Sequence, residues 1–272
     1  MLTGSTRRRQ TSTVIIAERF SRLFSVTIPK MSELISYTLT EIGLAGVGLL
    51  GLIESIRLSA DNGRFNDTDD DNRERKYTLT ALQVETAVNF VAAFVYAKMI
   101  AEYKNNPKSK IILQLRYADW VFTTPLLLLS LSLFMLKSHR PQPEIVEICS
   151  PSDCSLSKEP SRWYLGLALS AAVAMCVVGY RAELKRDFRL AVVSFVFLVA
   201  AFGLLVPYIG DTGIGDNENI IVYSVLAFLW CCYGFVWFIK NEQKRNIAYN
   251  SLDLLSKVGF GLYLWVNIRG IM

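Results

Sequence analysis

The chain has 272 residues, 52% of them hydrophobic, with 29 basic against 24 acidic side chains and a formal charge of +5. A mean hydropathy of +0.31 is too apolar for a soluble domain of this length and too regular for a disordered chain, so the composition indicates an integral membrane protein. A single histidine, His139, lies outside the apolar stretches, which excludes an intramembrane His/Cys metal constellation and argues against a metal enzyme.

Residues 1–32 are rich in Arg, Ser and Thr (Arg7, Arg8, Arg9, Arg19, Arg22), with Glu18 as the one acid. The apolar run Val14 to Ile16 is too short for a secretory signal, leaving an organellar targeting segment or a basic arm for anionic lipid. Beyond it, apolar windows close to the ~20 residues of a bilayer-spanning helix fall at 34–57, 78–101, 111–136, 162–180, 188–208, 218–240 and 247–268. Seven spans place the termini on opposite sides. The expected architecture is an all-α membrane protein, a seven-transmembrane-helix bundle over 33–272 with a loop insertion at 137–160.

The loop at 59–76 carries Asp67, Asp69, Asp70 and Asp71 and is expected to be solvated. The second window is interrupted by Thr78, Thr80, Gln83, Glu85, Thr86 and Asn89, a polar face that must point inward, because hydrocarbon tolerates such groups only against protein or a wet cavity. Cys176, Cys231 and Cys232 fall in spans and are read as small packing residues. Cys149 and Cys154 share the inserted loop, as a disulfide in an oxidising compartment or as free thiols. Lys104, Lys108, Lys110 and the basic arm place the N-terminus in the cytoplasm by loop charge. The sequon Asn66-Asp67-Thr68 points the same way.

Lys257 lies near the middle of the last span, with Asp253 one turn before it. A lysine at the bilayer centre costs about 2.5–3.5 kcal/mol on insertion scales, so it requires a function or a partner. In the third span Arg116, Asp119 and Thr123 form one polar stripe. Alone, Arg116 and Asp119 read as a buried structural ion pair. Together, two acids, one Arg and one Lys form a balanced intramembrane cluster of the kind that marks proton paths and chromophore counter-ions.

The run Arg116-Tyr117-Ala118-Asp119-Trp120-Val121-Phe122-Thr123-Thr124-Pro125, followed by four leucines, resembles the third helix of the bacteriorhodopsin-like microbial rhodopsins. Leu252 to Gly261 resembles that family's retinal-binding seventh helix, and Trp230, Tyr233 and Trp237 have the spacing of its retinal-sandwiching aromatics. The resemblance spans residues 34 to 268. It implies all-trans retinal bound as a Schiff base at Lys257, with Asp119 as primary counter-ion and proton acceptor and Asp253 as second counter-ion. Trp120, Thr124, Leu127, Trp230, Tyr233 and Trp237 fall on its retinal-pocket positions, although singly such aromatics are usually core packing. Leu127 implies green absorption. The resemblance also implies a bilayer setting, protons as cargo, a homo-oligomer (trimer or pentamer), no nucleic acid, and an N-terminus outside, against the loop charges.

The pattern departs from the family at both ends of the proton route. Ser130 stands where outward pumps place a carboxylic donor. The triplet Asp119, Thr123, Ser130 resembles that of a subgroup of giant-virus rhodopsins. Glu85 is the best substitute donor, and with Asn89 on its face it also fits a channel lining. At the release end Glu242 stands for one of the paired glutamates of bacteriorhodopsin, while Arg245 falls at the other. Gly234 replaces the proline usual in the sixth helix. A light-driven outward proton pump is the expected function, with a light-gated cation channel and a sensory photoreceptor as alternatives. No nucleophile–base pair suggests an enzyme.

Overall fold

A computed structural model describes residues 33–60, 69–106, 109–137, 162–209 and 217–270. Its elements are α1 (Glu33–Ala60), α2 (Asp69–Asn105), α3 (Lys110–Leu136), α4 (Arg162–Lys185), α5 (Phe188–Gly203) with a 3₁₀ turn at Val206–Tyr208, and α6 (Asn217–Val236). A seventh rod follows in three consecutive parts: α7 (Glu242–Asp253), a π-helical turn (Leu254–Val258) and α8 (Gly259–Gly270). No strand occurs among the described residues. The basic arm, the sequon and the loop holding His139, Cys149 and Cys154 lie outside them.

Each rod packs on its neighbour in chain order, and the seventh returns to α1 and α2, closing a ring. Six rods, α1 to α6 with the 3₁₀ turn appended to α5, are long and apolar enough to cross a membrane. The ring turns ordinary packing inside out. Ile42, Phe94, Phe122, Val196 and Phe228 face outward, while Glu85, Asn89, Arg116, Asp119, Asn250, Asp253 and Lys257 are buried. Hydrocarbon outside makes apolar exposure free of cost, and polar groups survive only where they find one another.

Helix ends follow local chemistry. Ser109, Asp187 and Asn241 cap α3, α5 and α7 by accepting from the backbone N–H of Ile111, Arg189 and Lys244. The connection from α4 to α5 is so short that Arg186 adopts a positive φ of 50°. The acidic loop expected at 59–76 is shorter than the sequence suggested, because α1 continues to Ala60 and α2 begins at Asp69. Likewise α4 runs to Lys185, beyond the expected end at 180, and the seventh rod starts at Glu242 rather than 247.

Candidate functional site

The π turn presents the central lysine. The Gly259 N–H reaches back to the Leu254 carbonyl, five residues earlier, widening the helix at Lys257. Lys257 is 3% exposed, and its Nζ lies 2.5 Å from Asp119 Oδ2 and 3.8 Å from Asp253 Oδ1. Both acids are 1% exposed.

The two carboxylates differ in their company. Asp253 accepts from Tyr96 OH at 2.6 Å, Tyr233 OH at 2.7 Å and Trp120 Nε1 at 3.1 Å. Asp119 faces Lys257 through Oδ2, and its buried Oδ1 has no partner. Asp119 is therefore the carboxylate with room to take a proton.

Arg116 forms no ion pair with either acid among the described residues. Its Nη1 donates to Asn250 Oδ1 at 2.9 Å and its Nη2 to Tyr37 OH at 3.2 Å, with the guanidinium beside the rings of Tyr37 and Tyr249. It balances the cluster by charge rather than by contact. Thr123 Oγ1 donates to the Asp119 backbone carbonyl at 2.9 Å, so it steadies the helix and leaves the carboxylate free. Ser130 Oγ ties α3 to α2 through the Ala81 carbonyl at 2.8 Å. A hydroxyl so engaged stores no proton at neutral pH.

Glu85 is fully buried, with Oε1 accepting from Asn89 Nδ2 at 3.1 Å; Glu85 Oε2 and Asn89 Oδ1 lack partners. Gly261 makes room for this pair. A Cβ there would sit 2.7 Å from Val47 Cγ1 and 3.1 Å from Asn89 Nδ2, so only glycine lets α8 lie against α1 and α2 at this level. Glu242, in contrast, is exposed in the first turn of α7 and is not brought into the buried network. Arg245 pairs instead with Glu183 at 2.9 Å, and Glu183 also accepts from Tyr117 OH at 3.0 Å.

Beside Lys257 opens a cavity of about 360 Å³, within the roughly 300–1,000 Å³ of small-molecule sites. Trp120, Thr124, Leu127, Trp230, Tyr233 and Trp237 all line it together with Lys257, as do Cys176, expected only as a packing residue, and Met175, Phe195 and Leu198, which sequence reading did not single out. An elongated apolar ligand with one carbonyl end fits these walls: aromatic faces enclose it, and one amine waits at the end. Tyr37, Tyr96, Asn250, Glu33 and Glu183 were also missed. Asn250 was detectable three residues before Asp253 on the same helical face. Glu33 and Glu183 fell just beyond the span limits set by hydropathy.

The family model of bacteriorhodopsin-like proteins matches residues 65–270. Relatives include bacteriorhodopsin-I of Haloquadratum walsbyi, 27% identical over 218 residues covering 76% of this chain and 78% of that one. The bacteriorhodopsin of Halobacterium salinarum is 28% identical over 205 residues, 66% of this chain and 68% of its own. Among solved structures, a proton-pumping rhodopsin of the marine alga Acetabularia acetabulum has a TM-score of 0.63 at 18% identity, covering 90% of this chain and 97% of that one. The inward proton pump xenorhodopsin gives 0.64 at 16%, covering 91% and 97%. At these identities the structural likeness carries the fold alone. Proteins of this family work in lipid membranes and bind retinal through a Schiff base to a lysine. The chain belongs to the bacteriorhodopsin-like family: it is a microbial, type I rhodopsin, an integral membrane protein of seven helices with retinal as its cofactor.

Proposed function

We propose that the chain is a light-driven outward proton pump, with retinal attached at Lys257. The observation that carries this reading is the asymmetry of the two acids, with Asp119 Oδ2 2.5 Å from Lys257 Nζ and Oδ1 unpartnered. When bound, retinal supplies photoisomerisation and with it a light-dependent proton affinity at the lysine nitrogen. Asp119 receives the proton held at that nitrogen, while the oxygens of Asp253 are taken up by their three neutral donors. Trp120, Trp230, Tyr233 and Trp237 enclose and orient the cofactor and keep water from its length. Ser130 is engaged with Ala81, so Glu85 is the residue that returns a proton to the nitrogen. Glu85 and Lys257 lie within electrostatic reach of each other.

A second reading has its own observation. Thr78 Oγ1, Glu85 Oε2, Thr86 Oγ1 and Asn89 Oδ1 are buried along α2 without partners. Buried polar groups demand satisfaction, and a file of water along α2 would provide it, which is the wall of a light-gated cation channel. Photocurrent against voltage separates the two: a pump current keeps its sign at every potential, whereas a channel current reverses with the driving force. Outward pumping further predicts uncoupler-sensitive acidification of the medium under light, and medium alkalinisation would refute it. The proposal includes an N-terminus outside, the triplet Asp119, Thr123, Ser130 as a working set, and a trimer or pentamer, which light scattering after size exclusion measures.

A further inference from the structure

Under the pump reading above the proton would leave at the Arg116 end of the bundle, where Glu33, Glu183 and Glu242 are the carboxylates to compare. Glu183 is occupied: Arg245 Nε sits 2.9 Å from it and Tyr117 donates to it as well, so a cation and a phenol already engage its two oxygens. Glu242 is exposed and outside the network. Glu33, in the first turn of α1, is different. It is 6% exposed and pairs with no cation among the described residues.

The partners of Glu33 are neutral. Asn246 Nδ2 of α7 donates to its Oε1 at 2.7 Å and Tyr37 OH of α1 makes a long 3.4 Å contact to the same oxygen, with Tyr103 of α2 within electrostatic reach. Arg116 of α3 and Glu242 of α7 are the charged groups that act on it. A shielded carboxyl with neutral neighbours favours its protonated form. Tyr37, fully buried, is shared: its hydroxyl accepts from Arg116 Nη2 at 3.2 Å while touching Glu33.

We propose that Glu33 is the proton-release residue of this chain, coupled to Asp119 through Arg116 and Tyr37. The inference rests on the pump reading above. Arg116 is held by uncharged acceptors, and its Nε is unpartnered, so nothing locks it to Asp119 or Asp253. Once Asp119 takes the proton from the lysine nitrogen, one negative charge beside Arg116 is gone. The guanidinium's field then falls on Glu33, whose O–H bond breaks and whose proton passes outside. The charge of the set is unchanged, because Asp119 becomes neutral as Glu33 becomes a carboxylate. The cycle closes when the Asp119 O–H gives its proton back to Glu33.

The test uses the full-length, retinal-loaded protein in nanodiscs with a pH-indicating dye in the medium and time-resolved infrared spectroscopy. In the wild type the dye is expected to register a proton as the Asp119 carboxylic C=O band rises. In Glu33→Gln that dye signal is expected to lag the band by about tenfold or more in time. Tyr37→Phe, which keeps the carboxyl but cuts its link to Arg116, is expected to show a lag too. A dark infrared pH titration is expected to show a carboxylic C=O band that Glu33→Gln removes, independent of any turnover. Wild-type dye timing in Glu33→Gln with a normal Asp119 band overturns this proposal alone, as does a lag appearing in Glu242→Gln instead. Absence of the Asp119 band in the wild type overturns the pump reading and this proposal with it.

Discussion

Asp119 and Asp253 share a lysine and little else. Three neutral donors fix Asp253, whereas Asp119 has Lys257 on one oxygen and nothing on the other. Replacing Asp119 with Asn keeps the shape and removes the acceptor, so the steady photocurrent should fall by about 100-fold or more, within the range for losing a positioned acid–base group. Voltage clamp under continuous light measures it. Lys257→Ala should abolish visible absorbance in protein expressed with retinal, and colour retained in that variant would refute the attachment site. That both acids lie beside the lysine was legible in the sequence as spacing and motif. Their difference was not, because Tyr96 and Tyr233 reach Asp253 from two other helices.

At the scale of elements, the π turn and the polar face of α2 matter most. The turn at Leu254–Val258 widens the helix at Lys257, and no local composition announces it. The second window, with its glutamate and asparagine, was legible as an inward face. Its contact with α8 depends on Gly261, where a Cβ would meet Val47 and Asn89. Gly261→Ala should therefore destabilise the bundle by about 1–3 kcal/mol through overpacking, seen as an earlier loss of colour on heating. Glu85→Gln keeps that packing and removes the titrating oxygen. Flash photolysis should show the return of the dark spectrum slowed by about tenfold or more, as loss of a positioned proton donor implies. Unchanged recovery would leave Glu85 a structural hydrogen-bonding group.

At the scale of the whole molecule, the ring is closed by polar ties between helices distant in sequence. Glu183 of α4 and Arg245 of α7 form one, buried at 2.9 Å; Glu54 of α1 and Arg269 of α8 form another, also at 2.9 Å. Removing one partner of a buried pair leaves an uncompensated charge, so Arg245→Met should cost about 3 kcal/mol or more, measured as a lowered thermal midpoint. Glu183→Gln combined with Arg245→Met should recover part of that loss, since neither residue then leaves a lone charge. Glu33 and Arg116 lie towards one end of the ring and Glu85 and Ser130 towards the other, so under the pump proposed above the ring would set the direction of transport. Epitope tags at the two termini would report which end faces the medium.

Hydropathy and motif alone settled the membrane class, the helix count and the lysine with its two acids. Those features are local: a span needs a run of apolar residues, and a charge within it has few explanations. Tertiary structure decided which acid is free, where Arg116 points, how Gly261 seats α8 beside Glu85, and that Glu33 rather than Glu242 lies in the buried network. Each of these depends on distances between side chains from different helices. Such distances are fixed only when the ring closes, because each buried polar group in a bilayer must take its partner from whichever helix stands opposite.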